Sequence, residues 1–513
     1  MRNRAIVLTL CFSCLPHVAA AQDPLSAIDW LRDATPVIQP RPQPQRRIDE
    51  PPVSQGASTP SVSVTPLDQA QADSVGLLPS ATTGLPANLW KGSSNSTLAR
   101  LLRAQDVQNL PAMQSLLYTL LLAEAEAPSD TGKDNAFLLA RIDTLIALGA
   151  VEHAQALLDR AGPTTPELFA RWFDTTLLTG NEHLACQSLL KSPHLAPDYA
   201  TQVFCTAREG SWQTAVITLE TARALGHVND LEDRLRARVL DPVLFEGDPL
   251  PRPPVRPAPL IFRLFAAIGE PLPTAPLPRA FSGADLSDTV GWKPRIEAAE
   301  RLARTGALSE NMLLGIWTER HPAASGGVWD RVESIQRFDI AIETGNAQAI
   351  GRTLAPAWSQ IATARLEDPF AKLYAARLMQ IPLQGRTAEL AYRIALLGPD
   401  YETAANAKGA TLPAMKFLTG LAQGAPDASL AKTPEERAIA TAFADTSIPM
   451  DLQNAMKNNR LGESILDAMR LYQRAANGET KWLAQSLIAF RAMGLEDTAR
   501  RAALHLLLLK RGV

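Results

Sequence analysis

The chain has 513 residues, enough for about three domains. Its 50 basic and 53 acidic residues nearly cancel, so nothing argues for the clustered basic excess that a nucleic-acid surface needs. After the first residues no stretch is long and apolar enough to span a bilayer, and LHLLLLK at 504–510 is too short.

The chain opens MRNRAIVLTLCFSCLPHVAAAQDP. Arg2 and Arg4 make a positive start, 5–15 is a short apolar run, and Ala19, Ala20 and Ala21 fit a small-residue cleavage site. This pattern predicts a signal peptide over 1–21, cleaved near Ala21, and a periplasmic mature chain. About 11 apolar residues cannot act as a membrane anchor. A lipoprotein signal fails as well, because Leu10 precedes Cys11.

Residues 22–88 are rich in Pro, Gln, Ser, Thr and Ala, which predicts a disordered arm. One short helical pattern, SAIDWLRDA at 26–34, carries Trp30 and offers itself as a docking helix, with PRPQPQRR as its tether.

A first helical domain is expected over 89–245. Within it Gly149, Gly180 and Gly210 recur at spacings of 31 and 30. Five residues after each stands an alanine (Ala154, Ala185, Ala215), and nine after each a leucine (Leu158, Leu189, Leu219). Glycine suits the left-handed position that ends a helix. The alanine permits close helix approach and the leucine fills the core. The pattern predicts three antiparallel helical hairpins and hence an all-α fold built as an α-solenoid.

Two cysteines remain once Cys11 and Cys14 leave with the signal. With helices at about 181–192 and 197–209 running antiparallel, Cys186 and Cys205 fall at similar heights, which predicts a disulfide in an exported protein. The inner helices of the hairpins present Arg141, Arg171 and Arg208, eight, nine and two residues before their glycines. With Trp172 they are the candidate binding residues. The other helix-face tryptophans, Trp212, Trp317, Trp329, Trp358 and Trp482, are expected mainly in packing.

These units resemble the tetratricopeptide class, with Ala and Leu at the helix-packing positions, although the period is a little short. More of the chain resembles uncharacterised secreted α-helical proteins of proteobacteria, in LPANLWKGSSNSTLARLL (85–102), LLARIDTLIALGAVEHAQALL (138–158), LACQSLL (184–190) with VFC (203–205), and RIEAAERLARTGAL (295–308). The resemblance covers about two-thirds of the chain. It implies a helical fold and an exported location, and it carries no activity.

Residues 246–291 form a Pro-rich break, since proline removes a donor and restricts its predecessor. IFRLFAAIG inside it predicts one short buried helix, and its apolar content favours an ordered crossover over a plain linker. From 292 to 513 the pattern is helical again. Thr433-Pro434-Glu435 is a helix start. RAMGLEDTARRAALHLLL at 491–508 repeats the earlier pattern around Gly494, Ala499 and Leu504.

Catalytic chemistry has little to stand on. His183 and Cys186 make H-x-x-C, short of the four ligands of a structural metal site, so no metal and no cofactor is expected. Glu463-Ser464 matches the acid dipeptide of some cell-wall lytic enzymes, without that family's later motifs. The sequence therefore reads as a non-enzymatic periplasmic scaffold that binds another protein or an extended peptide. A peptidoglycan enzyme or accessory, and a structural component of an envelope machine, are the alternatives.

Overall fold

The computed structural model describes residues 72–509, apart from 133, 228–229, 408–414 and 446. The expected signal peptide and the expected arm up to residue 71, Trp30 included, lie outside the described residues. All described residues belong to one compact unit. Among them every regular element is a helix, and β-type pairing is limited to one parallel bridge between Leu78 and Ala123.

Composition placed the end of the arm at residue 88, but the packed chain already includes Ala72. Asp73 is buried and accepts from the Leu138 amide at 2.7 Å, and Leu77 and Leu78 donate to the Leu122 carbonyl. The helices α1 (Ser80–Thr83), α2 (Asn95–Arg103) and α3 (Pro111–Leu122) follow. Ser94 caps α2 by accepting from the Thr97 amide.

Next come α4 (Ala136–Leu148), α5 (Val151–Ala161), α6 (Pro166–Thr179), α7 (Glu182–Lys191), α8 (Tyr199–Arg208) and α9 (Trp212–Ala224). Each packs on the next in chain order. Gly149, Gly180 and Gly210 stand at the ends of α4, α6 and α8 with φ of 87°, 81° and 87°, the left-handed conformation that a side chain would strain. The spaced alanines and leucines are all buried.

Helix α10 (Asp230–Leu240) leads into the Pro-rich stretch. There α11 (Pro259–Ala267) buries Leu260, Ile261, Phe262, Leu264 and Phe265. A 3-10 helix, Arg279–Leu286, lies on α4, α6 and α12 (Trp292–Ala303). Phe262, Leu277 and Phe281 form a small core with Val151 and Leu178 of the hairpins. The Arg301 guanidinium holds this crossover by donating to the Thr274 and Leu277 carbonyls and to the Ser282 hydroxyl.

The remaining helices are α13 (Glu310–Thr318), α14 (Val328–Glu343), α15 (Ala347–Thr363), α16 (Glu367–Leu378), α17 (Gly385–Leu397), α18 (Tyr401–Asn406), α19 (Lys416–Ala422), α20 (Pro434–Ala444), α21 (Met450–Lys457), α22 (Leu461–Ala476), α23 (Lys481–Ala492) and α24 (Glu496–Leu509). Thr433 and Glu436 form a reciprocal capping box before α20, with Pro434 at its first position. Gly494 has φ of 79°, and Ala499 and Leu504 are fully buried.

The chain closes on itself. Helix α2 packs on α22 and α3 packs on α24. The Gly462 amide donates to the Leu89 carbonyl at 3.0 Å, and Gly92 donates to Asn459 at 3.0 Å. One continuous apolar core runs from Leu85 to Leu508.

Candidate functional site

The three hairpins from α4 to α9 are where sequence and structure meet most closely. Cys186 of α7 and Cys205 of α8 form a disulfide, fully buried, with Cα atoms 4.8 Å apart. It joins the second hairpin to the third, as their heights on antiparallel helices predict. Because Cys186 is consumed there, the H-x-x-C pair has no thiolate to offer, and His183 stands exposed beside it.

All four candidate binding side chains are engaged by their own chain. Arg141 is 1% exposed. Its guanidinium donates to the carbonyls of Leu121, Ala123, Asp73 and Val75, so it fastens the segment before α1 to α3 and α4. Arg171 pairs with Asp143 across α6 and α4 at 3.0 Å. Trp172 is buried and donates its indole N–H to Asp159 at 2.6 Å. Arg208 meets the buried Glu182 carboxylate at 3.0 Å, and Arg263 of α11 meets the same carboxylate oxygen at 3.1 Å.

These residues do not converge on one site. They stitch neighbouring helices together, each through a different partner. The partner acids Asp143, Asp159 and Glu182 are visible in the sequence. Their helix register, which decides whether an arginine faces an acid or a groove, is not.

The helix-face tryptophans divide. Trp317 is buried and donates to Glu300 at 3.2 Å. Trp212, at the start of α9, is 46% exposed. It belongs to a concentration of exposed apolar groups: ten of the fifteen large hydrophobic side chains exposed among the described residues lie between Leu184 and Val255. Helix α9 turns Ala215, Leu219 and Ala222 inward and leaves Trp212, Val216, Ile217 and then Leu225 outside, with Ile217 at 65%. Val243, Leu244, Leu250 and Val255 continue the exposed set.

Sequence reasoning had no reason to select α9. Its inward alanine and leucine fit the repeat, and its outward residues fit a helix covered by a fourth hairpin. The departure is that after α9 comes α10, which reaches the α8–α9 pair through Leu240 and leaves Ile217 and Val216 uncovered.

Glu463, tested as a glycosidase acid, lies in the first turn of α22 and is largely buried. The Arg460 guanidinium bonds its carboxylate and holds it below the usual carboxylate range. Among the described residues no helix is long and apolar enough to cross a membrane. No family model matches the chain, and neither does any curated protein or solved structure.

Proposed function

We propose that the protein is an exported α-solenoid scaffold which docks a helical segment of another periplasmic protein along α9 and the exposed residues up to Val255. The observation that carries this reading is the exposure of four large apolar side chains, Trp212, Val216, Ile217 and Leu225, on and just after the last helix of the hairpin series. Exposed apolar side chains gathered in one place mark interaction surfaces, whereas scattered ones do not.

The occupant is argued by continuity. From α4 to α9 each helix is covered by the next one, so the surface that fits the last member is another helix. Helix α9 is 13 residues long, about 20 Å, which matches two to three anchor residues at i, i+4 spacing on a partner helix. The disulfide behind it makes the docking hairpin rigid and suits an oxidising compartment.

A photo-crosslinking residue placed at Ile217 tests the reading in cells, with one at Ile340, another exposed position, as control. The expected result is a discrete adduct with a different protein from Ile217 alone, abolished by Val216→Asp. Equal adducts from both positions, or none, would sink it. A homodimeric adduct would reassign the face to a second copy of this chain. The glycan-enzyme alternative asks for a carboxylic acid with a raised pKa, and Glu463 is shifted the other way.

A further inference from the structure

A second surface shares no lining residue with that edge and does not depend on it. Where the loop before α3, the 3-10 helix Arg279–Leu286, the end of α12 and the end of α15 meet, they enclose a recess of about 780 Å³, part of it open solvent. Arg279, Arg304 and Arg365 line it, together with Gln108, Asn109 and Thr363. The walls are fixed. The buried Gln114 amide donates to the carbonyls of Val107, Gln108 and Arg304. Arg304 Nε donates to the Ala364 carbonyl at 2.7 Å, and Arg365 donates to the Asn109 side-chain oxygen at 2.9 Å.

The charge here is unbalanced. Arg301 and Arg331 stand within electrostatic reach of the same group, which makes five arginines. Among the described residues Glu300 is the one carboxylate within electrostatic reach of Arg304. Arg331 takes it in a two-pronged bond at 2.7 Å, and Arg304 reaches it only at 3.8 Å. Among the described residues Arg279, Arg301 and Arg365 make no ion pair. Arg279 Nε and the hydroxyl of the neighbouring Tyr118 are both buried without a hydrogen-bond partner. Burial first, and then repulsion from neighbouring arginines, lowers the proton affinity of Arg279 and Arg304, with Glu300 opposing it at Arg304.

Arg365 adds an independent sign. It sits just past α15 with φ of 56°, the left-handed position that the chain fills with glycine after α4, α6 and α23. A side chain with a Cβ there costs conformational energy that glycine would not, and such outliers gather at functional sites. The same residue also lines an adjoining recess whose walls combine Leu110, Leu506 and Leu509 with the polar Asp106 and Asn477. A cationic recess thus shares Arg365 and Asn109 with a neighbour of mixed lining, in which leucines stand beside polar groups.

We propose that the paired recesses bind a phosphate ester, its phosphate held by Arg279, Arg304 and Arg365 and its apolar part lying against Leu110, Leu506 and Leu509. Arginine forks match phosphate oxygens two at a time, and a dianion suits the surplus of positive charge better than a single carboxylate.

Isothermal titration of the intact protein at fixed ionic strength tests this with inorganic phosphate, hexyl phosphate and hexanoate. Hexyl phosphate is expected to bind about tenfold or more tightly than phosphate, since each buried methylene adds to affinity, and hexanoate more weakly than hexyl phosphate. Arg279→Gln and Arg365→Gly should each weaken hexyl phosphate about tenfold. Arg365→Gly relieves the left-handed strain, so its melting temperature should stay level or rise, which separates lost binding from lost folding. Equal affinity for phosphate and hexyl phosphate would overturn the ester assignment. Hexanoate binding as tightly as hexyl phosphate would overturn the phosphate. Failure of all three to bind, or binding unchanged in both variants, would overturn the site.

Discussion

The hairpin series from α4 to α9 and the seam where α2 and α3 meet α22 and α24 are both helical and both buried, yet their contacts differ in range. In the hairpins, each helix finds its partner in the next stretch of chain, and one glycine, one alanine and one leucine per unit set the geometry. In the seam the partners are more than 350 positions apart. Asn88 bonds Asn459, Gln105 bonds the Leu466 carbonyl and Gln473, and the Asp106 amide bonds Gln473. Local packing can tolerate the loss of one contact by loosening one hairpin. A seam that closes the chain has no neighbour to take over, so damage there should be felt by the whole unit.

The largest effect is therefore expected at Trp90. Its indole is buried and meets Phe137 edge-on at 5.1 Å. It lies against the backbone of Gly462, where an added Cβ would come within 2.2 Å of the ring. Trp90→Ala should cost about 3–5 kcal/mol in denaturant unfolding. Gly462→Ala alone should cost about 2 kcal/mol, because the clash outweighs the roughly 1 kcal/mol that alanine gains over glycine inside a helix. In the Trp90→Ala background the ring clash is gone and only the Leu89 carbonyl, 3.0 Å from the added Cβ, still crowds it, so Gly462→Ala should cost well under about 2 kcal/mol. A double-mutant cycle with additive effects would remove the seam from this account.

The disulfide comes next and probes the local side of the contrast. Its cysteines are 19 residues apart, so Cys186→Ala with Cys205→Ala should cost about 3 kcal/mol in the loop-entropy description. The loss should be confined in space. Amide exchange in α7, α8 and α9 should quicken, while α22 and α24 stay protected. Uniform quickening would show that the hairpins and the seam unfold as one.

The same contrast explains what was legible in the sequence. The left-handed glycines, the buried Ala154, Ala185 and Ala215, the helix start at Thr433 and the cystine could all be read, because each depends on residues within about 30 positions. Gly462 could not, since its reason is Trp90, and no periodicity links the two. Nor could the roles of Arg141, Arg171 and Arg208. An arginine on a helix face looks the same whether it meets solvent, a ligand or a carboxylate one helix away. The Arg279, Arg304 and Arg365 recess was invisible for the same reason, as its members come from three separate elements.

A smaller effect separates the hairpins from the seam by pH. Asp174 of α6 is half-buried, and burial raises its carboxyl to about 6, against a counteracting attraction from Arg171 and a further push from Asp198. A raised folded-state value means that the native protein holds the proton more tightly than the unfolded chain. Its stabilising contribution is full below about pH 4 and is lost as pH rises to about 6. With solvent screening, the loss should be about 1–2 kcal/mol. Asp174→Asn should flatten the stability profile between pH 4 and 7 and leave its shape elsewhere unchanged. An unaltered profile in the variant would assign the titration to another group.

The smallest effect belongs to the Arg171–Asp143 pair, which tests whether Arg171 is a stitch between hairpins. Both side chains are about 40% exposed, so water screens the pair and a double-mutant cycle should give a coupling of about 0.5 kcal/mol. Arg171 also lowers the proton affinity of Asp174 through its charge. Arg171→Ala should therefore move the Asp174 titration to higher pH while barely changing stability at pH 4, where Asp174 is protonated. NMR titration of the Asp174 carboxyl would show the shift. The shift reports the nearness of the Arg171 charge, whereas the coupling measures the tie between α4 and α6, so a coupling of zero would remove the stitch.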